Sequence, residues 1–147
     1  MKFLETFEKY KIIDKMKRND TFLYYFKSPK NTYEVKITPY QGTKRRFFSI
    51  GFGITKQLGY DTEIIVNENP YEVMDTVFSI MKSFVDDLNN DEFIKNYNLN
   101  AVEGFIFSFT GDKHKNEQRL KLYTRSMKKY IPNANLEYKN GIYYVEL

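Results

Sequence analysis

Cysteine is absent from the 147-residue sequence, and its absence removes disulfide stapling, thiolate metal sites and thiol nucleophiles together. Histidine is nearly absent. The single copy, His114, stands in a lysine-rich turn whose cations disfavour its charged form, with Asp112 the one carboxylate beside it in sequence. A lone histidine without partners neither builds a metal cage nor acts as an oriented base, so a solvated side chain is the plainer reading. No stretch is rich enough in Pro, Gly or Ser to separate domains, and there is no internal repeat or low-complexity tract. The N-terminal stretch "MKFLETFEKYKIID" is broken by charge every few residues. It offers neither the apolar run of a signal peptide nor a membrane-spanning segment, and a soluble, cytoplasmic protein is expected.

What is present is a chain able to fold. At 41% hydrophobic and 18% aromatic residues it lies far from the composition of chains that cannot offset their ordering entropy. A chain of this length can remove roughly 68–70% of its unfolded surface from water, so one domain over residues 1–147 is expected. The formal net charge of +4 permits attraction to nucleic acid without requiring it. Its distribution is uneven. Residues 113–129 carry Lys113, Lys115, Arg119, Lys121, Arg125, Lys128 and Lys129 against Glu117, whereas residues 61–92 are acidic, Asp75, Asp86 and Asp87 among them, against Lys82.

Two helices stand out. From Pro70 to Leu88 the residues Met74, Val77, Phe78, Met81, Phe84, Val85 and Leu88 recur at the spacing of a core-facing stripe, with Pro70 suited to the first turn. A second helix is expected from about Asn116 to Ile131, with Leu120, Tyr123, Met127, Tyr130 and Ile131 as its buried stripe and Pro132 as its stop. Strand signals fill much of the rest. "NTYEVKITPY" alternates Tyr33, Val35 and Ile37 with Glu34, Lys36 and Thr38, a strand with one wet face. "KRRFFSIGFGIT" sets Phe48, Ile50, Phe52 and Ile54 opposite Phe47, Ser49, Gly51 and Gly53, and its glycines suggest a bulge or close backbone approach. "AVEGFIFSFTG" is apolar on both faces, as an interior strand is. "TFLYYFKSPK" is a further strand, and "NLEYKNGIYYVEL" is a hairpin turning at Asn140-Gly141. Residues 1–18 fit an N-terminal helix through Phe3, Leu4, Phe7, Ile12, Ile13 and Met16, while their charges allow an arm or a short strand. The expected fold is α+β, a mostly antiparallel sheet with two main helices on one face, in the order (α)βββαβαββ.

Three patterns could carry chemistry. "FTGDKHKNEQRLKLYTR" joins a strand through Gly111 to a helix start, but a phosphate loop needs a second glycine with Lys and Ser or Thr. A turn capped by Asp112 or Asn116 explains it better. Glu34 and Lys36 with Asp20 make a loose magnesium-nuclease pattern, yet alternating Glu and Lys is what a half-exposed strand shows anyway, and Glu137 and Lys139 repeat it. The third pattern is stronger. Lys121, Arg125 and Lys128, with Lys129 and Arg119 nearby, make a basic stripe on the second helix that Lys44, Arg45 and Arg46 could extend for tracking phosphates. The same cations could instead solvate freely or face the acidic first helix.

The second half, with its "YEVMDTVFSIMKSF" helix, its "GFIFSFTG" strand, a helix of Arg-x-x-Leu-Tyr type and a terminal hairpin, resembles a group of small proteins found in tailed-phage genomes. Val73, Val77, Phe84, Phe105, Phe107, Arg119, Leu122 and Tyr123 carry the likeness, which spans about residues 31–147 as a pattern of elements. It implies a phage origin and residence in the host cytoplasm or the virion. It implies no activity. The expectation is a non-enzymatic phage-type accessory protein that binds a phage or host protein, needing no cofactor, metal or membrane. The alternative is a nucleic-acid binder working through the basic helix, and the remote one is the magnesium nuclease.

Overall fold

A computed structural model of the chain describes residues 10–42, 46–55, 69–89, 102–108 and 113–147. Four strands come first: β1 (Ile12–Arg18), β2 (Thr21–Lys27), β3 (Thr32–Pro39) and β4 (Phe47–Ile54). Helix α1 (Pro70–Asn89), β5 (Gly104–Ser108), α2 (Lys113–Tyr130), β6 (Asn135–Lys139) and β7 (Ile142–Glu146) follow. The strands form one seven-stranded sheet in the order β1-β2-β3-β4-β5-β7-β6. Every adjacent pair is antiparallel except β4 and β5. A parallel pair needs a long crossover between its strands, and α1 lies in that crossover. The fold is α+β, with the mostly antiparallel sheet and two helices that the patterning predicts.

The first difference from expectation is at the N-terminus. Residues 12–18 form a strand, not a helix or an arm. Opposite Tyr25, Leu23 and Thr21 stand Asp14, Met16 and Arg18, while Lys15 and Lys17 stand opposite Tyr24 and Phe22 on the other face. A strand at the sheet edge carries charge on both faces, so neither face leaves an apolar period to read. Of the bulge or close backbone approach anticipated at Gly51 and Gly53, the bulge is not formed there. The β3–β4 register runs unbroken through both glycines, and the register shift occurs in β1 between Ile12 and Asp14.

Local chemistry accounts for the boundaries. Asn69 caps α1 by accepting hydrogen bonds at Oδ1 from the backbone N–H groups of Tyr71 (2.9 Å) and Glu72 (3.4 Å), with Pro70 at the first helical position, where no N–H is needed. Helix α2 begins at Lys113, so Asn116 lies inside it rather than capping it. Its last turn closes with the Ile131 N–H donating to the Met127 carbonyl just ahead of Pro132. The β6–β7 hairpin turns through Asn140 (φ 52°) and Gly141 (φ 81°), the paired positive angles of the anticipated turn.

Both helices cover one face of the sheet around a single buried cluster. Phe84 of α1 meets Phe48 (4.9 Å) and Phe22 (5.0 Å) edge-on. Tyr123 of α2 lies 5.2 Å from Phe107 and 5.4 Å from Tyr143 between ring centroids. Rings in these tilted and edge-to-face arrangements contribute roughly 0.5–1.5 kcal/mol per pair beyond area burial. Every residue of α1 from Val73 to Met81 is buried, including Asp75, Thr76 and Ser79. The stripe expected on α1 is therefore only the sheet-facing part of a helix enclosed on several sides. Its polar residues meet α2 at Asp75, and at Thr76, whose Oγ1 accepts the Tyr10 N–H at 2.7 Å, they meet the chain leading into β1.

Candidate functional site

Asp75 organises the α1–α2 interface. Its carboxylate, 0% exposed, accepts hydrogen bonds at Oδ1 from Ser126 Oγ (2.8 Å) and Arg125 Nη1 (3.0 Å), and at Oδ2 from Lys129 Nζ (3.0 Å). Residues 125 and 129 are one turn apart on α2 and present two cations to one point. The Arg125 guanidinium also lies 4.8 Å from the ring centroid of Tyr71, in the first turn of α1. A buried carboxylate with two cationic partners and a hydroxyl has its lone pairs met, as burial of a charge demands. The cluster locks two helices together.

This geometry changes the reading of the basic stripe. Lys121 and Lys128 are exposed, but Arg125 and Lys129 turn toward the acidic helix, one of the two alternatives the charge pattern allowed. Arg119 is buried. Burial pushes the Tyr123 hydroxyl well above the usual tyrosine range, with the charge of Arg119 opposing it in part. Leu120, expected in the core, is 36% exposed, while Tyr123 and Met127 are buried as expected and Arg119 and Ser126 face inward with them. Of the cations placed beside this stripe, Arg46 lies over the Phe48 ring, 5.7 Å from its centroid, while its backbone N–H donates to the Glu103 carboxylate. Lys44 and Arg45 lie outside the described residues. So do Gly111 and Asp112, and the side chain of His114.

The nuclease pattern is not assembled. Glu34 pairs in register with Tyr25 on β2, and Asp20 lies five residues from Tyr25, on the order of 15 Å at ~3.3 Å per residue. Glu34 instead accepts a hydrogen bond from the Tyr25 hydroxyl, which with partial burial raises that phenol's pKa. Among the described residues no three His, Asp or Glu side chains come together to hold a metal ion. Among them, too, no helix is long and apolar enough to cross a membrane.

A second surface was hidden from the sequence because it depends on β1 being an edge strand. Between β1, β2 and the C-terminal end of α1 lies an open groove of about 280 Å³. Its floor is Phe22, Tyr24, Phe84 and Leu88, and its rim is Lys15 and Lys17 with Asp87 across from them. Lys15 Nζ and Asp87 Oδ2 are 4.0 Å apart and both well exposed, a contact of little energetic weight. Lys17 Nζ lies 5.3 Å from the ring centroid of Phe22. Burial, reinforced by the charge of Asp87, pushes the Tyr24 hydroxyl up to about 12. Beside the groove Ile13 and Met16 are 54% and 41% exposed. The volume lies below the roughly 300–1,000 Å³ of small-molecule sites, so the groove suits one or two side chains.

No protein-family model, curated protein or solved structure matches the chain significantly, so its likeness to the tailed-phage group rests on the sequence pattern alone.

Proposed function

We propose that the chain is a non-enzymatic accessory protein that acts by binding a protein partner, of the kind encoded by tailed phages and working in the infected cell or the virion. The observation that carries this reading is the edge of the sheet at β1. There two large apolar side chains, Ile13 and Met16, stand exposed beside an apolar-floored groove. Exposed apolar groups gathered at a strand edge that pairs with no other described strand are a surface that association with another chain buries.

The nucleic-acid reading keeps one supporting observation, the exposed Lys121 and Lys128 on α2. It is the weaker of the two, because Arg125 and Lys129 are held by Asp75 and a strip of phosphates would have to compete for them. Placing a photo-crosslinking residue at Met16 in one variant and at Lys128 in another, in the cells that make the protein, separates the readings. Protein adducts from position 16 support the proposal. Nucleic-acid adducts from position 128, with none to protein from position 16, overturn it.

A further inference from the structure

Within that reading, and resting on it, we infer that the β1 edge takes an extended acidic segment of the partner as an eighth strand, with its carboxylates against Lys15 and Lys17 on one face and its alternate apolar side chains against Met16 on the other. Among the described residues β1 is the outermost strand, hydrogen-bonded on one side to β2, and its Lys15 N–H donates to Asp14 Oδ1 (2.8 Å), a bond that an incoming strand replaces. An edge strand presents a row of main-chain donors and acceptors that an extended peptide satisfies, and flanking pockets for alternate side chains supply selectivity. The other sheet edge offers less: on β6 the charges of Lys139 and Glu137 lie 3.6 Å apart and answer each other.

Charge names the occupant. Lys15 and Lys17 share the face of β1 that meets the groove, where Asp87 is the acidic lining residue, while Asp14 and Arg18 lie on the other face. An acidic strand laid along β1 sets the carboxylates of one face opposite Lys15 and Lys17, and opposite charges on paired strands stabilise while like charges repel. A second copy of the chain is disfavoured on the same ground, since β1 against β1 opposes lysines to lysines. The bulge after Ile12 leaves Ile13 without a register partner on β2, free to cover an incoming chain.

The test uses the whole protein and a fluorescein-labelled heptapeptide alternating Glu and Leu, followed by fluorescence anisotropy. Companion peptides carry Lys in place of Glu, or N-methyl groups on alternate amides that block strand pairing. The acidic peptide is expected to bind saturably and to weaken with salt. The combined change Lys15→Glu and Lys17→Glu, and N-methylation of the peptide, should each weaken binding by roughly tenfold or more. Lys15→Ala with Lys17→Ala gives an intermediate loss should the charge reversal disturb folding, and the N-methylated peptide leaves the protein untouched. The inference is overturned if the acidic peptide does not bind up to about 1 mM, if the lysine peptide binds equally well, or if N-methylation has no effect. Failure of the peptide alongside protein adducts at Met16 removes the strand-addition inference and leaves the binding role standing; failure of both removes the role as well.

Discussion

Lys129 Nζ lies 3.0 Å from Asp75 Oδ2, closing a contact across 54 residues of chain between the second helix and the buried side of the first. With Arg125 on the other oxygen, one buried carboxylate engages two cations of the basic helix inside the molecule. Three members of the asymmetric charge pattern, Asp75, Arg125 and Lys129, serve to pack one helix on another.

Removing the carboxylate strands two cations that are each about one third exposed. Asp75→Asn is expected to cost about 2–3 kcal/mol, below the value for a fully enclosed pair because Arg125 and Lys129 can turn to water. The combined Arg125→Met and Lys129→Met change leaves a fully buried carboxylate without its counter-ions and is expected to cost about 3–5 kcal/mol. Urea denaturation midpoints decide both, and the proposed helix lock fails if the second loss is no larger than the first.

Lys121 and Lys128 serve as the contrast. Both are exposed, so Lys121→Ala and Lys128→Ala should each leave stability within about 0.5 kcal/mol. If α2 does touch phosphates, these two changes lower oligonucleotide affinity and flatten its salt dependence while the melting temperature stays put. Arg125→Ala should do the reverse, lowering the melting temperature first.

Gly104 sits where no larger residue fits. A Cβ there would come within 2.4 Å of the Val145 carbonyl oxygen and 2.8 Å of Phe47 Cζ. Gly104→Ala is expected to destabilise by about 2–3 kcal/mol, since one of the colliding atoms is sheet backbone and cannot swing away. Phe47→Leu should not rescue it, because the carbonyl contact remains; thermal unfolding of the single and double variants tests this.

Much of this architecture was legible in the sequence, and the parts that were not share a physical cause. Tyr33, Val35 and Ile37 alternate cleanly because one face of β3 is buried, and Asn140-Gly141 announces its turn because few residue pairs accept two positive φ angles. β1 is obscured by the charges that protect a sheet edge. The burial of Asp75 and Thr76 has no mark in the sequence because their partners, Arg125, Ser126 and Lys129 for one and the Tyr10 N–H for the other, lie in distant parts of the chain. Arg119 and Leu120, adjacent on the helix, exchange their expected places, a difference that periodicity leaves open. The site had a similar fate: the lysines were visible as charge, but the groove exists only once β1, β2 and the end of α1 meet.

The Tyr24 phenol supplies a pH test. Burial first, and the charge of Asp87 second, lift its pKa from 10.0 to about 12. The folded state therefore holds this proton more tightly than the unfolded chain does. The associated stability is fully present below pH 10 and is lost as pH rises toward 12. Tyr24→Phe should flatten the fall in stability between those values. Asp87→Asn should lower the phenol's titration midpoint only in part, since desolvation is the larger cause; absorbance at alkaline pH follows both.

The parallel seam between β4 and β5 also has a bearing on synthesis. Strands β1 to β4 pair in sequence order and can zip together as the chain emerges, but among the described elements it is α1 that covers the face carrying Phe26, Tyr33, Val35, Phe48 and Phe52. At about 5–20 residues per second the ribosome leaves that aromatic face bare for seconds. Joining β5 to β4 must then span the intervening chain, a slow, non-local event. The nascent protein is most vulnerable to sticking after β4 has left the ribosome and before α1 has, and a pause in translation at that stage is where yield would suffer most.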